Sequence, residues 1–507
     1  MSEKHVPGTR DDDAARELQF IVSLVQRGDV DAAEKRARAL TDDRLAASAW
    51  GLLGELNANM QRWDVALSHT ERALRHDPTS RQLKLAHALL LEQQGAEAAA
   101  LAELEALAGE AHDSPRLLVH LGAQLAAAGR LDEADSLLAG GLERWPADAA
   151  LHVQLARLRW QRDAGLDAMS VIERAIQEQP REMHLRLVAA DLLHAAGATD
   201  RALGLLDEGL RAAPGSAAFL TSIGALLESL DRLDEALRYL REARVRAPGS
   251  VPARRNLLRA LLRTGGAAEA LALCDELLAQ FPLDQLLIAQ RATALRLLQR
   301  AEYRDLYDYS RLVRTFALEP MAPFSSIAEF NRAFARELAT LHRAVSHPLE
   351  QSLRGGSQTE RHLPRDNPVV AAFFAMIDAP ISAYIAALRA DQPGHPVDRR
   401  RRDGYRISGS WSVQLQPGGY HINHVHPRGW LSSAYYVSLP YVSDADTRAG
   451  WLKLGEPGMP IPGCAAERFV RPEEGMLVLF PSYMWHGTVA FAAGGPRLTA
   501  AFDVLPG

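Results

Sequence analysis

The amino-acid sequence predicts a multidomain chain: an all-α solenoid of repeated helical hairpins, then a small β-sandwich or barrel with flanking helices. Three observations carry this expectation. A chain of 507 residues exceeds what one hydrophobic core organises, so two or three domains are expected. Small residues and prolines recur at a fixed interval of 34 through the first part of the chain. After Ile407 the apolar pattern changes to the alternation expected of strands. The expected divisions are a repeat array over 12–300, a helical junction over 301–345 and the β-rich domain over 346–507.

Composition narrows the classes. At 47% apolar and 24% charged residues the chain is a globular protein rather than a disordered one. The formal net charge of -6 is small for this length, so no nucleic-acid partner and no membrane surface are expected. Cys274 and Cys464 are too few for a disulfide framework and suit a reducing compartment. The first twenty residues hold no signal-type apolar run, and no stretch approaches the ~20 apolar residues of a membrane-spanning helix. A cytoplasmic location is expected.

The repeat array is read from three ladders. Pro146, Pro180, Pro214, Pro248 and Pro282 are spaced by 34, with Pro78 two intervals earlier. Ala32, Ala66, Ala100, Ala134, Ala168, Ala202, Ala236 and Ala270 keep the same interval, and Gly95, Gly129, Gly197 and Gly265 share it in another phase. An alanine early in the second helix of a hairpin lets two helices approach. A glycine at the bend accepts positive φ, and a proline opens the next unit. Segments such as LDEALRYLREARVRAP are amphipathic at helical spacing. This pattern resembles the tetratricopeptide repeat. Stacked repeats of that kind leave a concave face for a peptide or protein. The alternatives are that the array serves as a scaffold or forms a homodimer.

In the junction, Ser326 is expected to cap a helix with Glu329 as its capping-box partner. The stretch QSLRGGSQT, 351–359, reads in isolation as a Gly-Gly turn. A second helix is expected over Pro368 to Arg389, and RRRRD, 399–403, reads as a solvated loop.

The β-rich part has Trp411, Val413 and Leu415 alternating with polar residues, and PGG at 417–419 is expected to end that strand. Further strands are expected at 433–438, 450–454, 476–480, 488–491 and 498–504. On an extended strand His424 and His426 point to one side, with His421 and Val425 facing away. His486 follows His426 by sixty residues, and Arg497 lies eleven further on. Three imidazoles cap a metal and leave positions open, while a guanidinium fork suits a bidentate carboxylate. Gln414, Tyr435 and Trp485 are candidates for the pocket wall.

The blocks YHINHVHPRGWLSSAYYVSLP, GWLKLGEP, RPEEGMLVLFPSYMWHGTVAF and PRLTAAFDV resemble the 2-oxoglutarate- and Fe(II)-dependent oxygenases, in a bacterial and phage branch allied to prolyl hydroxylases. The likeness covers about 349–506. It implies a double-stranded β-helix (jelly roll) using Fe(II), 2-oxoglutarate and O2 to hydroxylate a substrate side chain. It also implies His424, His426 and His486 as metal ligands and Arg497 and Thr499 on the co-substrate carboxylate; Tyr420 and Asn423 are candidates for further co-substrate contacts, with a place in the core as the alternative. No catalytic acid or base is expected. The departure is His426, which stands where the superfamily's carboxylate is expected. Either three histidines bind the metal, or a carboxylate such as Glu456 or Asp444 arrives from elsewhere; a metal other than iron is the third alternative. With the repeats, the expectation is an oxygenase acting on a peptide or protein. The alternatives are a small-molecule substrate, or a non-catalytic repeat adaptor with a degenerate metal-binding domain.

Overall fold

The computed structural model describes residues 10–26, 30–40, 43–59, 62–94, 96–108, 114–162, 166–342, 352–359, 362–389, 392, 394–400, 404–440, 448–492 and 494–507. The chain forms two compact units, Met1–Gly141 and Leu142–Gly507, with the division inside the helical array.

Both units contain antiparallel helical hairpins built by the same small residues. Ala66, Ala100 and Ala134 in the first unit, and Ala202, Ala236 and Ala270 in the second, are wholly buried. Opposite them runs a ladder that the sequence reading does not pick out: Gly54, Ala88, Gly122, Ala156, Ala190 and Gly224, again spaced by 34. A Cβ at Gly224 would stand 2.5 Å from Leu240 Cγ and 3.3 Å from the Ala236 carbonyl. The helices therefore meet at backbone distance, and both ladders are needed for it. The bend glycines Gly129, Gly197 and Gly265 have φ of 82°, 83° and 81°. Asp231 and Gln299, one interval on in the same phase, adopt φ of 62° and 53° without being glycine. Pro214, Pro248 and Pro282 each follow directly on a helix C-cap, where they stop one helix before the next begins.

In the second unit the helices lead into two antiparallel sheets. The strands are β1 (Arg314–Ala317), β2 (Leu353–Gln358), β3 (Tyr405–His421), β4 (Leu431–Ser438), β5 (Leu452–Leu454), β6 (Arg468–Val470), β7 (Met476–Pro481), β8 (His486–Thr488) and β9 (Arg497–Pro506). One sheet has the order β1-β7-β4-β9-β3-β2 and the other β6-β5-β8. The helices Ile327–Leu341 and Pro368–Ala386 pack on the larger sheet. Phe330, Phe334, Phe373 and Tyr435 form a continuous aromatic run with ring centroids 5.0–5.2 Å apart. The 19-residue helix Pro368–Ala386 is apolar enough by length and composition to cross a membrane. Here it buries Val370, Phe373, Ile377, Ile381 and Tyr384 in this core.

Several local expectations change. The Gly-Gly turn is instead strand β2: Gly355 takes φ 66° at a register shift, and a Cβ on Gly356 would lie 2.2 Å from the Gln414 carbonyl. The glycines are there for close pairing with β3. PGG does not end β3, which continues to His421 with Gly418 at φ 85°. The strand expected at 488–491 lies at 486–488, and β1 and β6 are additional. Ser326 Oγ caps the Glu329 N–H at 3.2 Å, but the Glu329 carboxylate accepts from Ser325 N at 2.9 Å, one residue earlier than a capping box requires. Arg400 is not in a solvated loop: its Nη1 donates to the Gly429 carbonyl at 2.8 Å, and burial lowers its pKa to about 10.

Candidate metal centre

The site begins where β3 ends. Ile422 and Asn423 leave the strand, and His424 forms an isolated antiparallel bridge with His486. The His424 N–H donates to the His486 carbonyl at 2.9 Å, and the His486 N–H donates back at 3.0 Å. This pairing sets two imidazoles side by side with centroids 4.3 Å apart. His426 is held by its own N–H on the Ser482 carbonyl at 3.0 Å. One ligand atom from each of His424, His426 and His486 falls within a 4.8 Å group.

The second nitrogen of each ring explains the arrangement. His424 Nδ1 lies 2.8 Å from the Ile422 carbonyl, His486 Nδ1 2.9 Å from the Met484 carbonyl, and His426 Nδ1 2.6 Å from Asp503 Oδ1. With oxygens accepting from all three Nδ1–H groups, the Nε2 lone pairs are left to converge. The Nε2 atoms of His424 and His426 are 3.3 Å apart. Burial, then the neighbouring His426, pushes His424 down to about 3, and burial holds His486 well below the usual histidine range. Neutral imidazoles are the ligating form.

The cluster opens into a cavity of about 520 Å³. Alternate residues of β9 (Arg497, Thr499, Ala501 and Asp503) line one wall. Arg497 is only 4% exposed, and its Nε and Nη1 have no hydrogen-bond partner among the described residues. Its guanidinium lies over the Tyr436 ring at 5.1 Å. Such a contact, when desolvated, contributes about 2 kcal/mol or somewhat more, which offsets only part of the several kcal/mol that burying a charge costs. An anion in the cavity would supply a partner. The residues therefore fit both a divalent metal and a carboxylate beside it.

Other predicted residues lie elsewhere. Gln414 falls on the opposite face of β3 from Trp411 and Val413, and is not among the described lining residues. Tyr435 is buried in the aromatic core and donates to Asn331 Oδ1 at 2.6 Å. Trp485 Nε1 donates to Thr293 Oγ1 at 3.1 Å, on the helix Gln285–Leu297 of the repeat array. Tyr420 is 39% exposed on β3, paired with Arg354 of β2. Asn423 Nδ2 donates to the Pro457 carbonyl at 3.3 Å, supporting a loop rather than the cavity. Gly458, Met459 and Pro460 of that loop close a second cavity, of about 620 Å³, against solenoid residues such as His194 and Arg259. Glu456 pairs with Lys453 Nζ at 2.6 Å and is not part of the cluster, while Asp444 lies outside the described residues. His421 does not face away: it lines the cavity, because the chain bends at Asn423 and breaks the alternation. Asp503 has no counterpart in the sequence expectations. The only local sign of it is its parity with Arg497 and Thr499 on one strand.

Residues 409–503 match the family model described as "Putative 2OG-Fe(II) oxygenase". The match marks a domain of that description in the C-terminal part of the chain. Residues 18–80 and 222–284 match a tetratricopeptide-repeat model, so the 2OG-Fe(II) oxygenase domain follows tetratricopeptide repeats. A search of curated proteins returned no match. Among solved structures, the chain is similar to a tetratricopeptide repeat protein from Parabacteroides merdae ATCC 43184, at 17% identity over 49% of this chain and 99% of that one, TM-score 0.34. It is also similar to pilF of Pseudomonas aeruginosa, at 20% identity over 41% of this chain and 95% of that one, TM-score 0.29. The oxygenase family implies Fe(II), 2-oxoglutarate and O2, and the three-histidine cluster is compatible with them.

Proposed function

We propose that this chain is a cytoplasmic 2-oxoglutarate- and Fe(II)-dependent dioxygenase that hydroxylates a side chain of a peptide or protein held by the repeats. The observation that carries the reading is three converging imidazoles in one cavity with a buried arginine whose Nε and Nη1 are unpaired. In this reading the two antiparallel sheets are a double-stranded β-helix. His424, His426 and His486 hold the metal, and Arg497 pairs with the distal carboxylate of 2-oxoglutarate, beside Thr499. Iron with 2-oxoglutarate and O2 supplies the chemistry, coupling decarboxylation to oxidation of a C–H bond.

The chain's own groups bind, orient and exclude water. Phe480, Leu452 and Val413 give the cavity apolar walls. The carbonyls of Ile422 and Met484 fix the tautomers of His424 and His486. Tetratricopeptide repeats commonly bind peptides or proteins, which favours a polypeptide substrate over a small molecule.

The test is anaerobic addition of Fe(II) and 2-oxoglutarate to the full chain. The expected result is a weak visible charge-transfer band, lost in His426→Ala and in Arg497→Ala, with succinate formed once O2 and substrate are supplied. Absence of both band and succinate would leave the chain a repeat adaptor.

A further inference from the structure

We infer that Asp503 is a positioning carboxylate that supplies, through His426, the negative charge missing from the ring of three ligands. The inference rests on the three-imidazole reading above. It concerns what stands behind one of those imidazoles rather than the ligands themselves.

The three histidines are not equivalent. His424 and His486 lean on backbone carbonyls, which are neutral acceptors. His426 alone leans on a carboxylate, 2.6 Å from Nδ1. A hydrogen bond to an ionised acceptor is roughly twice as strong as a neutral one. A carboxylate behind an imidazole fixes its tautomer and strengthens its free nitrogen as a donor. His426 is also the residue that stands where a carboxylate is expected in two-histidine, one-carboxylate sites. The carboxylate has not been lost from the site; it lies one imidazole further from the metal position.

Asp503 is itself held in place. On β9 it pairs in register with Ser432 of β4. Ser432 Oγ donates to the same Oδ1 at 2.7 Å and lies 2.9 Å from Ser482 Oγ. The Ser482 carbonyl accepts the His426 N–H, so one group of residues anchors both the ring and the backbone of His426. There is no room beside it for a side chain on Gly429, whose Cβ would lie 2.2 Å from Ser482 Oγ. A surface aspartate making a chance contact would not carry this surrounding order.

The experiment uses full-length protein with Co(II) as the probe, read by chelator competition and by the visible ligand-field spectrum. Asp503→Asn keeps an acceptor oxygen but removes the charge. It is expected to weaken Co(II) binding roughly 10–100-fold and shift the spectrum, with the metal-free melting temperature unchanged. Wild-type affinity and an unshifted spectrum in Asp503→Asn would overturn the positioning role and leave the three-imidazole centre standing. Wild-type affinity in His426→Ala would instead remove the three-imidazole reading on which the inference depends. If Asp503→Asn fails to fold, Ser432→Ala serves: it frees Oδ1 from its second hydrogen bond, so a weakened affinity with a shifted spectrum supports the role and an unaltered site overturns it.

Discussion

At the scale of single residues, Arg497 combines a stability cost with a binding role. Its charge is buried, and two of its nitrogens lack partners among the described residues. Replacing even a buried ion pair by apolar side chains of similar volume is often neutral or stabilising by about 1–4 kcal/mol, and Arg497 has no partner charge among the described residues to lose. Arg497→Met is therefore expected to melt at a higher temperature than the wild type without 2-oxoglutarate, and to gain nothing when it is added. A variant that melts lower would show that the arginine already has its partner in the fold. Arg497 and Thr499 were legible in the sequence because two residues on one strand share a face whatever the sheet around them. Asp503 obeys the same parity, but its use depends on β9 reaching His426, a contact across 77 residues that no local pattern encodes. His421 was misread for the opposite reason: a local rule was extended through a bend at Asn423. Tyr435 and Trp485 show that an aromatic near a metal motif serves core or junction as readily as a pocket.

At the scale of elements, the pairing of β2 with β3 rests on glycine backbones that touch. Gly356→Ala places a Cβ where the Gln414 carbonyl stands, a rigid neighbour, and is expected to cost about 1–3 kcal/mol. Because Ser352, just before β2, and Gln358, at its end, line the cavity, the same change should weaken 2-oxoglutarate binding. Gly204→Ala is the matched control: it sits inside the helix Thr199–Ala212 with nothing within 4 Å of the new Cβ, and should stabilise by about 0.5–1 kcal/mol. Chemical denaturation of the two variants checks both signs. A Gly-Gly pair reads locally as a turn, and only the partner strand reveals the close approach. The helical hairpins were far more legible, since their small residues recur at one interval and each contact is with a near neighbour in sequence.

At the scale of the molecule, the end of the repeat period is not the end of the repeat array's structural role. Ile288, Ala289, Ala292 and Leu295 of the last full repeat helix belong to the same core as the sheet. From that helix, Arg296 donates to the carbonyls of Gly455 and Ala465 at 2.8 and 2.9 Å, and the Gln285 N–H donates to the Pro427 carbonyl at 3.2 Å. A fragment of 301–507 is thus expected to lose cooperative unfolding and Co(II) binding, whereas 142–507 should retain both. Circular dichroism melts and metal titration distinguish them, and a folded, metal-binding 301–507 would refute the shared core. Periodicity marked where similar hairpins stop repeating; it carried no information on which of them a second sheet would recruit.

The bond from Trp485 to Thr293 has a bearing on how such a chain could diversify. Trp485 precedes His486, so a helix of the array is tied to the immediate neighbour of a proposed metal ligand. Repeats are ordinarily gained and lost by recombination as whole cassettes. In this chain the tie starts from the helix Gln285–Leu297, so exchanging that hairpin would reach the neighbour of His486. That hairpin and the histidines would then be expected to pass together, as a single heritable block.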